Sequence, residues 1–188
     1  MAQSEGSGIA DGVRQANPRA RLSVARLLAV QALFQMEAGG TSLDRTREDF
    51  ADRNFAGVVE GSRLIEPDPF HFDRLLSTAV DEQPQIDRAT DGALSESWPI
   101  DRIDPVLRAV FRAAGAELVG TATPTRVIIS EFVDVAKAFL PDSPAAGFVN
   151  AVLDHMARKL RLPVSAGLPK SGRSPGDGKG SGSVEPAE

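Results

Sequence analysis

Residues 103–120 read IDPVLRAVFRAAGAELVG, and their spacing decides the fold. Ile103, Val106, Leu107, Val110, Phe111, Ala114 and Leu118 recur at intervals of three and four, so they gather on one face when each residue advances by about 100°. The pattern predicts an amphipathic helix with Asp101 near its start and Gly120 at its end. Residues 123–139, TPTRVIISEFVDVAKAF, repeat the design with Ile128, Phe132, Val135, Ala136 and Phe139 behind a Thr123-Pro124 cap. Residues 142–160, DSPAAGFVNAVLDHMARKL, repeat it again with Val149, Val152, Leu153, Met156 and Leu160 behind Ser143-Pro144. Consecutive capped amphipathic helices with short connections pack as antiparallel neighbours in a bundle. The β-branched run Val127-Ile128-Ile129 sits inside the helical period, so it does not argue for a strand.

Toward the N-terminus the same period returns. Leu22, Ala25, Ala29, Ala32, Leu33 and Met36 share a face, Asn17-Pro18 reads as an N-cap with proline at the first helical position, and Gly39-Gly40 ends the helix. A more polar helix is predicted from Leu43 to Asn54, anchored by Leu43, Phe50 and Phe55. The segment from Gly57 to Pro67 carries two glycines, and Pro67-Asp68-Pro69 turns the chain into a helix from Phe70 to Glu82 that points Phe72, Leu75, Leu76 and Ala79 inward. After Pro84 a weaker pattern of Ile86, Ala89, Ala93 and Leu94 predicts a helix reaching Trp98. The whole reads as all-α.

The ends differ in kind. Residues 1–16 and 163–188 are built from Gly, Ser, Pro, Ala and scattered charge without a helical or strand period, so they are expected to be disordered extensions of one folded domain at 17–162. Cysteine is absent, which excludes disulfides, thiolate metal sites and a cysteine nucleophile. No apolar run approaches the roughly 18 residues of a membrane span, and the N-terminus lacks the basic start and apolar core of a signal peptide. A cytoplasmic protein without membrane attachment is expected.

The formal net charge of -5 argues against a protein that coats nucleic acid through its overall field. Charge is nonetheless segregated: no acidic residue stands between Asp11 and Glu37, and Arg19, Arg21 and Arg26 lie in that gap. Arg19 and Arg26 are seven apart and fall within about 20° on a helical wheel, whereas Arg21 projects from the other side of the apolar stripe. Arginines in a first helical turn oppose the macrodipole, a placement that is favourable when they meet an anion. A solvated cluster without a ligand is the other reading. Glu117 and Glu131 sit at the margins of apolar faces, where an ion pair with an arginine is expected rather than a catalytic carboxylate pair. His71 and His155 have no second ligand at metal spacing on their helices, and Gly176 to Gly180 follows no strand, so neither a metal, a cofactor nor a phosphate loop is expected.

Four blocks in fixed order, ARLLAVQALFQME at 25–37, IDRIDPVLRAVFRAAGAEL at 100–118, TPTRVIISEFVDVAKAF at 123–139 and DSPAAGFVNAVLDHMARKL at 142–160, resemble the NusB family of transcription antitermination factors. The Phe148–Asp154 block, after an Asp-Ser helix cap, is the most specific part. The resemblance implies a seven-helix fold in two small bundles and a binding factor rather than an enzyme. It implies pairing with the small-subunit ribosomal protein NusE, binding of boxA RNA in ribosomal RNA leader transcripts, and assembly with other Nus factors on RNA polymerase.

Carried residue by residue, the resemblance implies RNA contacts by Arg26 and its neighbours Arg19 and Arg21. Asp142 and Ser143 resemble a family loop that borders the RNA site, while Ser143 also reads as a structural N-cap. Phe148 lies off the main stripe of its helix and reads either as a base-stacking aromatic or as core, and Asn150 and Arg126 are candidates on the same grounds. Phe34 occupies the position of an aromatic that meets NusE, and Asp101 that of an acid in the same interface; a second family acid is replaced here by Leu107. The same domain type also precedes a catalytic domain in ribosomal RNA cytosine methyltransferases, which need a cysteine and a cofactor loop that this sequence lacks. A helical adaptor binding only protein and a stand-alone relative of the methyltransferases' RNA-binding domain are the alternatives, and both a monomer and a homodimer are compatible with the pattern.

Overall fold

A computed structural model describes residues 17–52, 58–59, 62–63, 65–95, 99–141 and 145–161. Among them are seven α-helices: α1 (Pro18–Gly39), α2 (Leu43–Asp52), α3 (Pro69–Asp81), α4 (Gln83–Asp91), α5 (Pro105–Gly120), α6 (Thr125–Phe139) and α7 (Ala145–Leu160). The all-α, seven-helix expectation holds, with one addition. Val58–Val59 (β1) and Ser62–Arg63 (β2) pair antiparallel, with Val58 opposite Arg63 and Val59 opposite Ser62. Strands of two residues are too short to leave a period in a sequence. Both terminal extensions lie outside the described residues. Among those described, no helix is long and apolar enough to cross a membrane.

The helix ends show local chemistry at work. The Asn17 side-chain oxygen accepts from the Arg19 amide at 3.0 Å, as its place before Pro18 predicts. Gly40 ends α1 in the left-handed conformation, φ 62°, which glycine adopts without steric cost. Asp68 caps α3 by accepting from the His71 amide at 2.8 Å. Three expected boundaries need correction. Asp104, not Asp101, caps α5, accepting from the Val106 amide at 2.7 Å, while Asp101 sits in a single 3-10 turn at Ile100–Arg102. Pro124 rather than Thr123 is the N-cap of α6, and no side chain bonds there. α4 stops at Asp91: the Gly92 amide turns back to the Arg88 and Thr90 carbonyls, so Ala93 and Leu94 reach the core from a turn rather than from a helix.

The helices form two groups that share α5. The first is α1, α2 and α3; the second is α4, α6 and α7; α5 packs against α1 and α3 on one side and against α4, α6 and α7 on the other. Every α5 residue from Ala109 to Leu118 except Arg112 is buried. This explains the run Ala113-Ala114-Gly115-Ala116: small residues let neighbours approach from all sides. A Cβ on Gly115 would collide with Ile86 of α4 and stand 3.2 Å from the Met156 Cε of α7. Phe111 and Phe132 are the largest fully buried side chains, and Phe72 of α3 stacks on Phe50 of α2 with ring centroids 5.4 Å apart.

Candidate nucleic-acid interface

The three arginines of the N-terminal patch separate into three environments. Arg19, in the first turn of α1, is exposed and has no carboxylate partner among the described residues. Arg21 is half-buried, and its Nη2 donates to the Pro67 carbonyl at 3.3 Å, tying the connection before α3 to α1.

Arg26, expected at the RNA surface, is 3 % exposed and holds two carboxylates, the buried Glu117 and the half-buried Glu131. Its Nε and Nη2 donate to the two oxygens of Glu117, each at 2.7 Å, in a bidentate fork, and its Nη1 donates to Glu131 at 3.0 Å. The Ser23 hydroxyl donates to the same Glu131 oxygen at 2.6 Å, and His71 Nε2 stands 3.5 Å from Glu117. Arg19 and Arg26 share a helical face but not a fate, because only the latter is covered by α5 and α6. The guanidinium of Arg26 is therefore not available to a phosphate in this conformation.

Electrostatics in this cluster follow from burial and pairing. Burial alone drives the Glu117 carboxyl upward, but its contacts with Arg26 and His71 outweigh that and hold it at about 2, against an ordinary 4.5. Burial likewise disfavours the Arg26 cation, and Glu117 and Glu131 reverse the direction, so its pKa is raised. The expected ion pairing of Glu117 and Glu131 with an arginine is borne out, and the arginine is Arg26.

The second part of the site is a shallow cleft of about 370 Å³ between α6 and α7, lined by Thr125, Arg126, Ile129, Ser130, Asn150 and Asp154. Two expected RNA residues, Arg126 and Asn150, meet there, and both are exposed. Asn150 Nδ2 donates to Asp154 at 3.3 Å, and Arg126 has no carboxylate partner among the described residues. Phe148 is half-buried and packs edge-on against Phe111, with centroids 6.0 Å apart at 68°, so part of this ring belongs to the core. Asp142 and Ser143 lie outside the described residues.

The two expected partner residues are not brought together in one cavity. Phe34 is half-buried against the core. Asp101 is exposed and lines a separate cleft of about 440 Å³ with Leu33 and Met36 of α1 and Val80 of α3. The rim of that cleft holds a network that sequence reasoning missed. Arg112 pairs with both Asp87 oxygens at 2.9 Å and with Glu37 at 2.7 Å, and Arg108 donates to Glu37 at 2.9 Å and to the Ile100 carbonyl at 2.7 Å. The signal was two arginines one turn apart, Arg108 and Arg112, on a largely apolar helix, a spacing that aims both at one neighbour. Hydrogen bonds from Arg108 pull the Glu37 carboxyl below its ordinary range despite partial burial. Among the described residues no group of three or more His, Asp or Glu is placed to hold a metal ion.

Comparison with known proteins adds the family context. The NusB family model matches residues 23–158. A transcription antitermination protein NusB of Rhodopseudomonas palustris strain HaA2 is 42% identical over 151 residues, covering 80% of this chain and 87% of the relative. The solution structure of NusB from Aquifex aeolicus superposes with a TM-score of 0.60 at 24% identity, covering 81% of this chain and 97% of that one. A crystal structure of antitermination factors NusB and NusE in complex with dsRNA superposes with a TM-score of 0.59 at 25% identity, covering 74% of this chain and 97% of its own.

Proposed function

Because the chain belongs to the NusB family, we propose that it acts in transcription antitermination as the RNA-contacting half of a pair with NusE, engaging boxA RNA of ribosomal leader transcripts. It works in the cytoplasm as a binding factor, without metal or cofactor, and reaches RNA polymerase through other Nus factors. The observation that supports the reading best is the placement of Arg19 and Arg126. Both are exposed and without a carboxylate partner among the described residues, whereas Arg26, Arg108 and Arg112 are engaged by acids. Phosphate contacts dominate RNA affinity and need cations that are free to make them.

A net charge of -5 leaves few such contacts, so binding by the chain alone is weak and a composite surface with NusE supplies the remainder. A titration of fluorescently labelled boxA RNA, with and without NusE, tests this directly. Binding should tighten with NusE and weaken as salt rises, and Arg19→Ala or Arg126→Ala should each lower the salt slope by about one. RNA binding absent in both titrations, with NusE still bound, would establish the protein-only adaptor instead. Asp101 and the cleft beside it are the proposed NusE contact, with Phe34 supporting it from α1.

A further inference from the structure

α3 begins with two phenylalanines that meet opposite conditions. Phe72 is buried against Phe50, whereas Phe70, two residues earlier and so on the other side of the helix, is 84% exposed. Single exposed apolar side chains are ordinary on protein surfaces, but two features set Phe70 apart.

The first is rigidity. Asp68 caps the helix at its base, the Asp68 amide donates to the Arg21 carbonyl at 3.1 Å, and Arg21 Nη2 donates to the Pro67 carbonyl. These bonds lock the start of α3 against the first turns of α1, so the ring stands on a fixed platform. The second is its neighbourhood. Arg74 lies one turn along the same face of α3, exposed and without a carboxylate partner among the described residues. The nearby acids are largely engaged: Asp68 serves as the cap and Asp73 pairs with Arg47 at 2.6 Å, leaving Glu66 as the exposed acid of the connection.

An exposed aromatic beside a free guanidinium group suits a nucleobase whose flanking phosphate meets the cation. We propose that Phe70 is a stacking platform for one unpaired base of bound single-stranded RNA, with Arg74 holding an adjoining phosphate. The proposal rests on the RNA-binding reading above and adds the start of α3 to that surface.

The test uses the full chain with its NusE partner and fluorescein-labelled boxA RNA. Because stacking on an aromatic ring adds substantially to affinity, Phe70→Ala should weaken binding about fivefold to a hundredfold. Phe70→Trp should retain it. The salt slope should stay unchanged in Phe70→Ala, which removes no charge, and fall by about one in Arg74→Ala. Scanning the RNA with single abasic sites should find one position where base removal weakens the wild type but adds nothing to Phe70→Ala. Melting of Phe70→Ala at the wild-type temperature confirms that the exposed ring is not structural. Wild-type affinity in Phe70→Ala, while the wild type itself binds RNA, overturns the platform and leaves the RNA reading standing. Weakened NusE binding with intact RNA affinity makes Phe70 a protein anchor and also overturns it. A wild type that binds no RNA even with NusE removes both proposals together.

Discussion

Two arginine clusters hold this protein together by the same chemistry at different depths. Arg26 joins α1 to α5 through Glu117 in the interior and to α6 through the half-buried Glu131, whereas Arg108 and Arg112 join α5 to α1 and α4 through Glu37 and Asp87 at a rim. The Arg26 and Glu117 side chains are 3% and 0% exposed; those of Arg112 and Glu37 are 17% and 29% exposed. Water is excluded from the first pair, so each charge depends on its partner, and solvent shares the work at the second. A buried pair of this kind does not make the fold more stable than an apolar replacement would, but it punishes loss of one member.

That contrast can be broken at its deep end first. Arg26→Ala strips Glu117 of its bidentate partner and leaves only His71 beside it in the core, and should cost about 3 to 5 kcal/mol in urea unfolding. A cost near that of a surface substitution would mean that water enters the cluster. Acid should act next. The Glu117 carboxyl is held at about 2 in the folded protein against 4.5 ordinarily, so its stabilising contribution is complete above about 4.5 and is lost as pH falls toward 2. Unfolding followed from pH 5 to 2 should show this decline in the wild type and a smaller one in Arg26→Ala, where protonation of Glu117 relieves a buried charge.

The rim should respond less. Glu37→Ala should cost about 1 kcal/mol, since its partners remain partly solvated, and the effect should shrink in high salt. A salt-insensitive loss as large as that of Arg26→Ala would erase the distinction between the clusters. Smallest of all, Arg19→Ala should leave the melting temperature unchanged, because the side chain is exposed and unpaired by any carboxylate among the described residues.

The same contrast marks how far sequence can be read. α1, α3, α5, α6 and α7 were legible because apolar residues at three and four report which face is buried. Asn17 was legible as a cap because side-chain capping is a local interaction. Arg26 was not. On a helical wheel it coincides with the exposed Arg19, and its partners stand 91 and 105 residues away, so only the packing of α5 and α6 over one end of α1 separates the two. The complementary half was visible in Glu117 and Glu131, acids on apolar faces that demanded a cation. The rim network was missed for a related reason: four charged residues on three helices carry no local period. At the candidate RNA surface, Arg126 and Asn150 were placed together by the contact of α6 with α7, while the Phe148 ring was drawn partly inward by Phe111.

Sharing α5 between both helix groups bears on how the molecule comes apart. A helix whose buried residues serve two cores cannot be released from one without stripping the other, so neither group has a complete core of its own. Heating should therefore give a single transition by every probe, and the slowest amide exchange should cluster in α5 and report the global unfolding free energy.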